Sequence, residues 1–188
     1  MSDPVPLTGE PLALDLVNTR PATGDLLATP DDLRAWLGLQ ADRLPEAREL
    51  AAAELTAADL AAVHAVREHI AGAVEHARTA GRPPAGHLEF LNRAQRDAPA
   101  ISELAWNGEA VTVTPRRTGS PGARLAAWLA EAAAGLLADP AVTRVRQCEA
   151  HDCVLLFLPT HPRRRWCSAA RCGNRTRVAR HYQRHKPT

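Results

Sequence analysis

Four cysteines, Cys148, Cys153, Cys167 and Cys172, lie in the last quarter of the 188-residue chain, spaced as C-x4-C, thirteen residues, then C-x4-C. Each close pair has the short-loop spacing that lets two thiolates reach one tetrahedral ion, and the segment between the pairs is long enough to fold back as a hairpin. Four sulfur ligands leave no open position for water, so such a site is structural rather than catalytic. Zinc (one Zn2+ ion) is the preferred occupant. Two disulfides are disfavoured in a chain read as cytosolic, and an iron–sulfur cluster has the right ligand count but nothing to favour it. A reactive thiol fits less well, because paired cysteines read as ligands. His151 or His161 in place of one cysteine is a further alternative. The apolar run LLFLP, residues 155–159, is placed to pack beneath the site.

The same segment carries the positive charge. Residues 142–188 hold 11 basic and 2 acidic side chains (Glu149 and Asp152), a net of +9; residues 1–141 hold 12 basic and 19 acidic, a net of −7, and the two sum to the chain's +2. Nearby arginines favour thiolates. Four thiolates and one zinc take the module only from +9 to about +7, so binding the metal leaves most of the charge over. An acidic body with a basic C-terminal quarter suggests two units, of which the basic one seeks an anionic partner.

That surplus follows the last cysteine. Gly173 is expected to take a turn conformation and Asn174 to cap a helix running to about His185, with Val178 and Tyr182 facing the module's small core. Arg177, Arg180, His181 and Arg184 then form one basic face, and Arg163, Arg164 and Arg165 form a second cluster before Trp166. With Arg175, these arginines are the expected nucleic-acid contacts, mainly to phosphates. The alternative is a solvated or docked face that balances the acidic body. Asn174 and Arg175, so close to the metal, are expected to support the fold more than to read bases.

The elements that would carry these residues are mostly helices. Thr29, Pro30, Asp31 and Asp32 open one, residues 45–55 form another, and Thr56 with Asp59 begins a third in a capping box. Leu60, Val63, Val66, Ile70, Ala73 and Val74 recur at helical spacing until Gly81 and Pro83-Pro84. Residues 86–97 read as a helix with Leu88 and Leu91 on one face. Asn107-Gly108 signals a hairpin, with Val111 and Val113 alternating with Thr112 and Thr114. Residues 123–140 return to helix, with Leu125, Trp128, Leu129, Leu136 and Leu137 as its buried side. The fold class is therefore α+β: a mostly helical domain over residues 1–141, divided near Pro140 from a four-cysteine module over 142–188 that ends in a helix.

In the N-terminal domain, Asp15, Asn18, Thr19 and Arg20 follow an apolar run and could line a pocket for a small-molecule effector; the alternative is that they cap a helix or satisfy a turn. His64 and Glu68, close to His69, have a metal-compatible spacing but are expected to face solvent. No phosphate loop, nucleophile elbow or metalloprotease motif occurs, and the domain is read as a sensor or a homodimerisation unit rather than an enzyme. With no long apolar segment and no signal-like N-terminus, no membrane partner and a cytoplasmic location are expected.

Trp166-Cys167-Ser168 with Cys172-Gly173-Asn174-Arg175 resembles the CGNR zinc finger, a bacterial module named for its last four residues. Leu14-Asp15-Leu16-Val17-Asn18-Thr19 resembles the opening of the ABATE domain that accompanies it. The resemblance covers nearly the whole chain and implies a DNA-binding, stress-induced transcription regulator. The chain departs from the family pattern at Ala169, where Met is frequent, at Arg177, where Lys is common, and in a compact loop, LPTHPRRR. A zinc-stabilised module that binds RNA or an acidic protein is the rival reading, and an enzyme with its pocket in the N-terminal domain is a weaker one.

Overall fold

The computed structural model describes residues 7–42 and 45–178. Helices α1 (Leu12–Val17), α2 (Pro30–Gln40), α3 (Pro45–Ala51), α4 (Ala57–Arg78), α5 (Ala85–Asp97) and α6 (Pro121–Ala138) build the body, with the hairpin β1 (Ile101–Trp106) and β2 (Val111–Arg116) between α5 and α6. A short 3-10 turn, Pro140–Arg144, leads to β3 (Arg146–Gln147) and β4 (Leu156–Phe157), which pair antiparallel. The α+β class expected from sequence is the one observed.

Local chemistry sets the helix starts. Thr29 and Thr56 both accept from the backbone N–H three residues on, and Asp32 and Asp59 return the bond to the cap residue's N–H, so both are complete capping boxes. Asp59 does more: its other oxygen accepts from Gly122 N–H at 2.6 Å, tying the start of α4 to the start of α6. A side chain on Gly122 would meet the Asp59 backbone at 2.9 Å, so glycine is what lets the two helices approach.

The apolar face of α4 (Leu60, Val63, Val66, Ile70, Ala73 and Val74) is buried in one core with Leu125, Trp128, Leu129 and Leu136 of α6 and the apolar residues of α1. That helix stops at Arg78, three residues before Gly81, where Ala80 takes a positive φ of 56°. On α5 the buried residues are Leu91 and Ala94, while Leu88 is exposed, so the inward face is turned from the one expected.

The hairpin departs further. Trp106 pairs with Val111, which makes the loop four residues long rather than the two of an Asn-Gly turn. Asn107 stands first in it, its side-chain oxygen accepting from Glu109 and Ala110 N–H, and Gly108 takes φ +101°. Neither face is covered: Ile101, Leu104, Trp106, Val111 and Val113 are all exposed. At its base Arg117 is buried and paired with Glu46 and Glu131, and it donates to Ala98 C=O at 2.8 Å. No helix among the described residues is long and apolar enough to cross a membrane.

Candidate metal centre and the seam beneath it

The strands β3 and β4 enclose the first cysteine pair, so the module's hairpin frames one C-x4-C loop instead of filling the gap between the two pairs. Cys148 N–H donates to Leu155 C=O at 2.9 Å just past the strands. Within the loop Cys153 N–H closes on Ala150 C=O, and Asp152 takes a left-handed φ of 60°, which aspartate tolerates better than most residues. The second pair is carried on a π turn, Ala169–Gly173, that brings Cys172 back toward Cys167. Its cap is Ser168, whose hydroxyl accepts from Arg171 N–H at 3.2 Å, and not Asn174. Asn174 is already helical and accepts from Arg177, and Gly173 has no positive φ. The sequence expectation for these two residues is thereby corrected. The Ser hydroxyl reaches the orphan donors one turn earlier.

The four sulfurs converge. All lie within 4.8 Å of one another, with Cys153 and Cys167 at 3.9 Å and Cys167 and Cys172 at 3.6 Å. A tetrahedral zinc–thiolate site, with bonds near 2.3 Å, separates its sulfurs by about 3.8 Å, whereas a disulfide needs about 2.05 Å. The geometry fits a zinc ion and no disulfide is present. Cys148, Cys153, Cys167 and Cys172 would hold that ion, which supplies the cross-link a module this small lacks. His151 is turned to Asp152 and His161 to the backbone of Arg163, so neither joins the sulfurs.

The protons of the cluster are unevenly held. Hydrogen bonds from Cys153 and Cys167, aided by backbone N–H groups, hold the Cys148 thiol down to about 2. The same bond with Cys148 pushes Cys153 up to about 11 and raises Cys167, where Cys153 and burial add to it. Of these three thiols Cys148 is the one most disposed to ionise, and Cys153 and Cys167 are the ones that hold their protons most firmly. Cys167 N–H donates to Cys148 Sγ at 3.3 Å. The Arg175 guanidinium lies 3.9 Å from Cys172 Sγ and donates to His151 C=O at 2.8 Å, strapping the two loops together.

Alternate residues of the β4 segment face opposite ways. Leu155 and Phe157 pack with the cysteines, while Leu156 joins the body's core and Leu158 packs against it. Asn18 fixes the seam, its amide donating to Leu156 C=O and accepting from Leu156 N–H, both at 2.8 Å. Glu10 fixes it a second time, accepting from Leu158 N–H at 2.9 Å and from Arg164 at 2.5 Å. Arg164 also donates to Cys167 C=O and Trp166 C=O and lies 4.5 Å over the Phe157 ring. Nothing local in the sequence announces this role of the Glu10 carboxylate; Leu158 and Arg164, which it holds across the seam, are about 150 positions away.

The expected pocket residues separate. Asn18 and Arg20 line a cavity of about 300 Å³ between α1, α4 and the first cysteine loop. Asp15 is fully buried and bonded to Glu10 N–H, and Thr19 is buried, donating to Leu16 C=O and accepting from Arg67. His64, Glu68 and His69 turn to different partners: Leu27 C=O, Arg20 and His87.

The arginines separate too. Arg164 and Arg175 are engaged in the fold, and Arg165 is paired with Glu149. Arg163 is exposed with no side-chain partner among the described residues, and Arg177 is exposed and bonded only within its own turn. Val178 is exposed rather than facing the small core. Arg180, His181, Tyr182, Arg184 and His185 lie outside the described residues.

A search of curated proteins finds no match to the chain. Residues 144–185 match the CGNR zinc finger, in keeping with one structural zinc on the four cysteines. Residues 10–140 match ABATE, described as "Putative stress-induced transcription regulator", and the chain belongs to that family.

Proposed function

We propose that the protein is a cytoplasmic DNA-binding transcription regulator whose zinc module holds phosphate-contacting arginines and whose helical body receives a small-molecule signal. One observation carries the reading. Eight arginines of the basic segment lie among the described residues, and only Arg164 and Arg165 meet a carboxylate there. A module that existed to balance the acidic body would consume its charge against it; here the surplus remains on a metal-braced surface. Arg163 and Arg177, with Arg180 and Arg184 beyond them in sequence, are the proposed contacts; Arg164, Arg165 and Arg175 brace them.

The test is duplex binding by purified, zinc-loaded protein at several salt concentrations, followed by selection from genomic fragments. Affinity should fall steeply with salt and one class of sites should be enriched. Tighter binding to single-stranded RNA, or to an acidic protein, would favour the rival reading instead.

A second copy of the chain is also proposed as a partner, because the β1–β2 ribbon supports it. Five large apolar side chains on this ribbon are 57–71% exposed. Leu104 pairs with Val113 and Trp106 with Val111 on one face, so an antiparallel ribbon presents similar groups on both strands, as a two-fold contact requires. Their exposed area is on the order of 500 Å² per protomer, and a symmetric pair would bury roughly 1,000 Å², the lower range for a specific interface. On that face the ribbon otherwise carries Ser102 and Pro115, so no charge of its own opposes the approach.

A further inference from the structure

We propose that the cleft between body and finger binds a small zwitterion with an apolar side chain, an amino-acid-like molecule, and that this ligand bridges the two units. The inference rests on the reading of the body as a sensor and names the ligand class it takes. The cleft holds about 300 Å³, the lower end of the range for small-ligand sites. Val17, Arg20, Glu68 and Ala71 face it from the body, and Val154 and Leu155 from the finger.

The polar groups in the lining differ in how far they are committed. Both terminal nitrogens of Arg67 are bonded, to Asp25 and Thr19. Glu75 accepts from Arg78 through both oxygens at 2.7 Å. The Asn18 amide is spent on Leu156, and Gln147 donates to Cys153 C=O at 3.2 Å. What remains, besides the buried and unpartnered Nε of Arg67, is the pair Arg20–Glu68, joined by a single contact at 2.5 Å with side chains 60% and 57% exposed. An exposed pair of this kind contributes little, so it opens at little cost. Opened, it offers a guanidinium fork for a carboxylate beside a carboxylate for an ammonium.

Charge decides the class. Two arginines and two glutamates line the cleft, so its formal charge is zero, which disfavours phosphorylated or dianionic ligands and suits one of no net charge. Val17, Ala71, Val154, Leu155 and Leu156 supply an apolar wall, and Val154 is 46% exposed, a surface that a ligand's side chain would cover. Because one wall is body and the other finger, a ligand that fills the cleft binds the docked arrangement better than the parted one and shifts the population toward it.

Calorimetric titration of the full zinc-loaded chain with L-leucine tests this, with 4-methylpentanoate and isopentylamine as probes lacking one head group. Leucine should bind, and each single-headed probe should bind roughly tenfold or more weakly. Arg20→Gln and Glu68→Gln should each remove the preference for leucine over one of the probes, and Ala71→Phe should block all binding with zinc content and helical signal unchanged. No heat from leucine or any other apolar amino acid at millimolar concentration would overturn the proposal, as would binding indifferent to all three substitutions. Duplex binding measured without ligand keeps the two readings apart. Leucine binding by a chain that ignores DNA would end the regulator reading and leave the site standing; DNA binding without leucine binding would do the reverse.

Discussion

The Asn18 side chain pairs with the backbone of Leu156 as a neighbouring strand would, donating to its carbonyl and accepting from its N–H, both at 2.8 Å and across 138 positions of sequence. Asn18 is 3% exposed and Leu156 7%, so neither group has water to fall back on if the two part. The finger is thus built into the body's core, with Val142, Val145 and Leu156 buried among body residues.

Asn18→Leu should strand both Leu156 backbone groups and cost about 2–6 kcal/mol in urea unfolding, at about 1–3 kcal/mol for each buried group. Asn18→Asp keeps the acceptor and loses the donor, and should lie between Leu and wild type. Limited proteolysis near residues 155–160 should accelerate in the same order. A stability change below about 0.5 kcal/mol for Asn18→Leu would show that the seam is not held this way.

Zinc affinity should rise with pH through the neutral range. Cys153, pushed up to about 11, and Cys167, also raised, hold protons there that the metal must displace, whereas Cys148, near 2, has none to give. Raised thiol values mean that binding is opposed below them, so acidification favours release. At least two protons should leave per zinc at pH 7, and log K should climb by at least about two per pH unit. Calorimetry in buffers of different ionisation enthalpy counts them; release of none would contradict the proton distribution described above.

Arginines of the module should divide by assay. Arg164→Ala removes the contacts to Glu10, Cys167 and Phe157, and should lower the melting temperature and quicken zinc loss. Arg163→Ala and Arg177→Ala should leave the melting temperature within error and each reduce the slope of log affinity against log salt by about one unit. Arg180→Ala with Arg184→Ala extends the test beyond the described residues. If only Arg164→Ala affects DNA, and does so through folding, the exposed arginines are not the contacts.

Trp106→Lys should convert a reversible dimer to a monomer in sedimentation experiments while leaving the far-ultraviolet spectrum unchanged, because Trp106 is 67% exposed and packs against nothing in its own chain's core. A wild-type chain that stays monomeric at all accessible concentrations would end the proposal for the ribbon.

The sequence announced whatever depends on near neighbours. Thr29 and Thr56 stand three residues from the aspartates they exchange bonds with, and the apolar spacing of α4 needs only its own period. The cysteine spacing was equally plain, since two short loops fix which thiols meet. Contacts made across the fold were hidden: Glu10 with Arg164, Asn18 with Leu156, and the alternation that sends Leu155 to the metal and Leu156 to the body. The hairpin was half legible. Asn107-Gly108 marked the turn, but strand alternation cannot reveal that no layer covers either face. Ser168 displaced Asn174 as the cap because a π turn begins earlier than an ordinary helix start would. That turn closes on the metal ligands and not on a sequence period.

The distance between Asn18 and Leu156 also sets an order of events during synthesis. At ribosomal rates of roughly 5–20 residues per second, on the order of 10 s separate the emergence of the amide from that of the strand it serves. Only near the end of that interval, once α6 has emerged, does the body have all its helices, and until Leu156 follows water must hold its place. The newborn chain is therefore open where the cleft between α1, α4 and the finger will later form, and closure awaits the segment that arrives last.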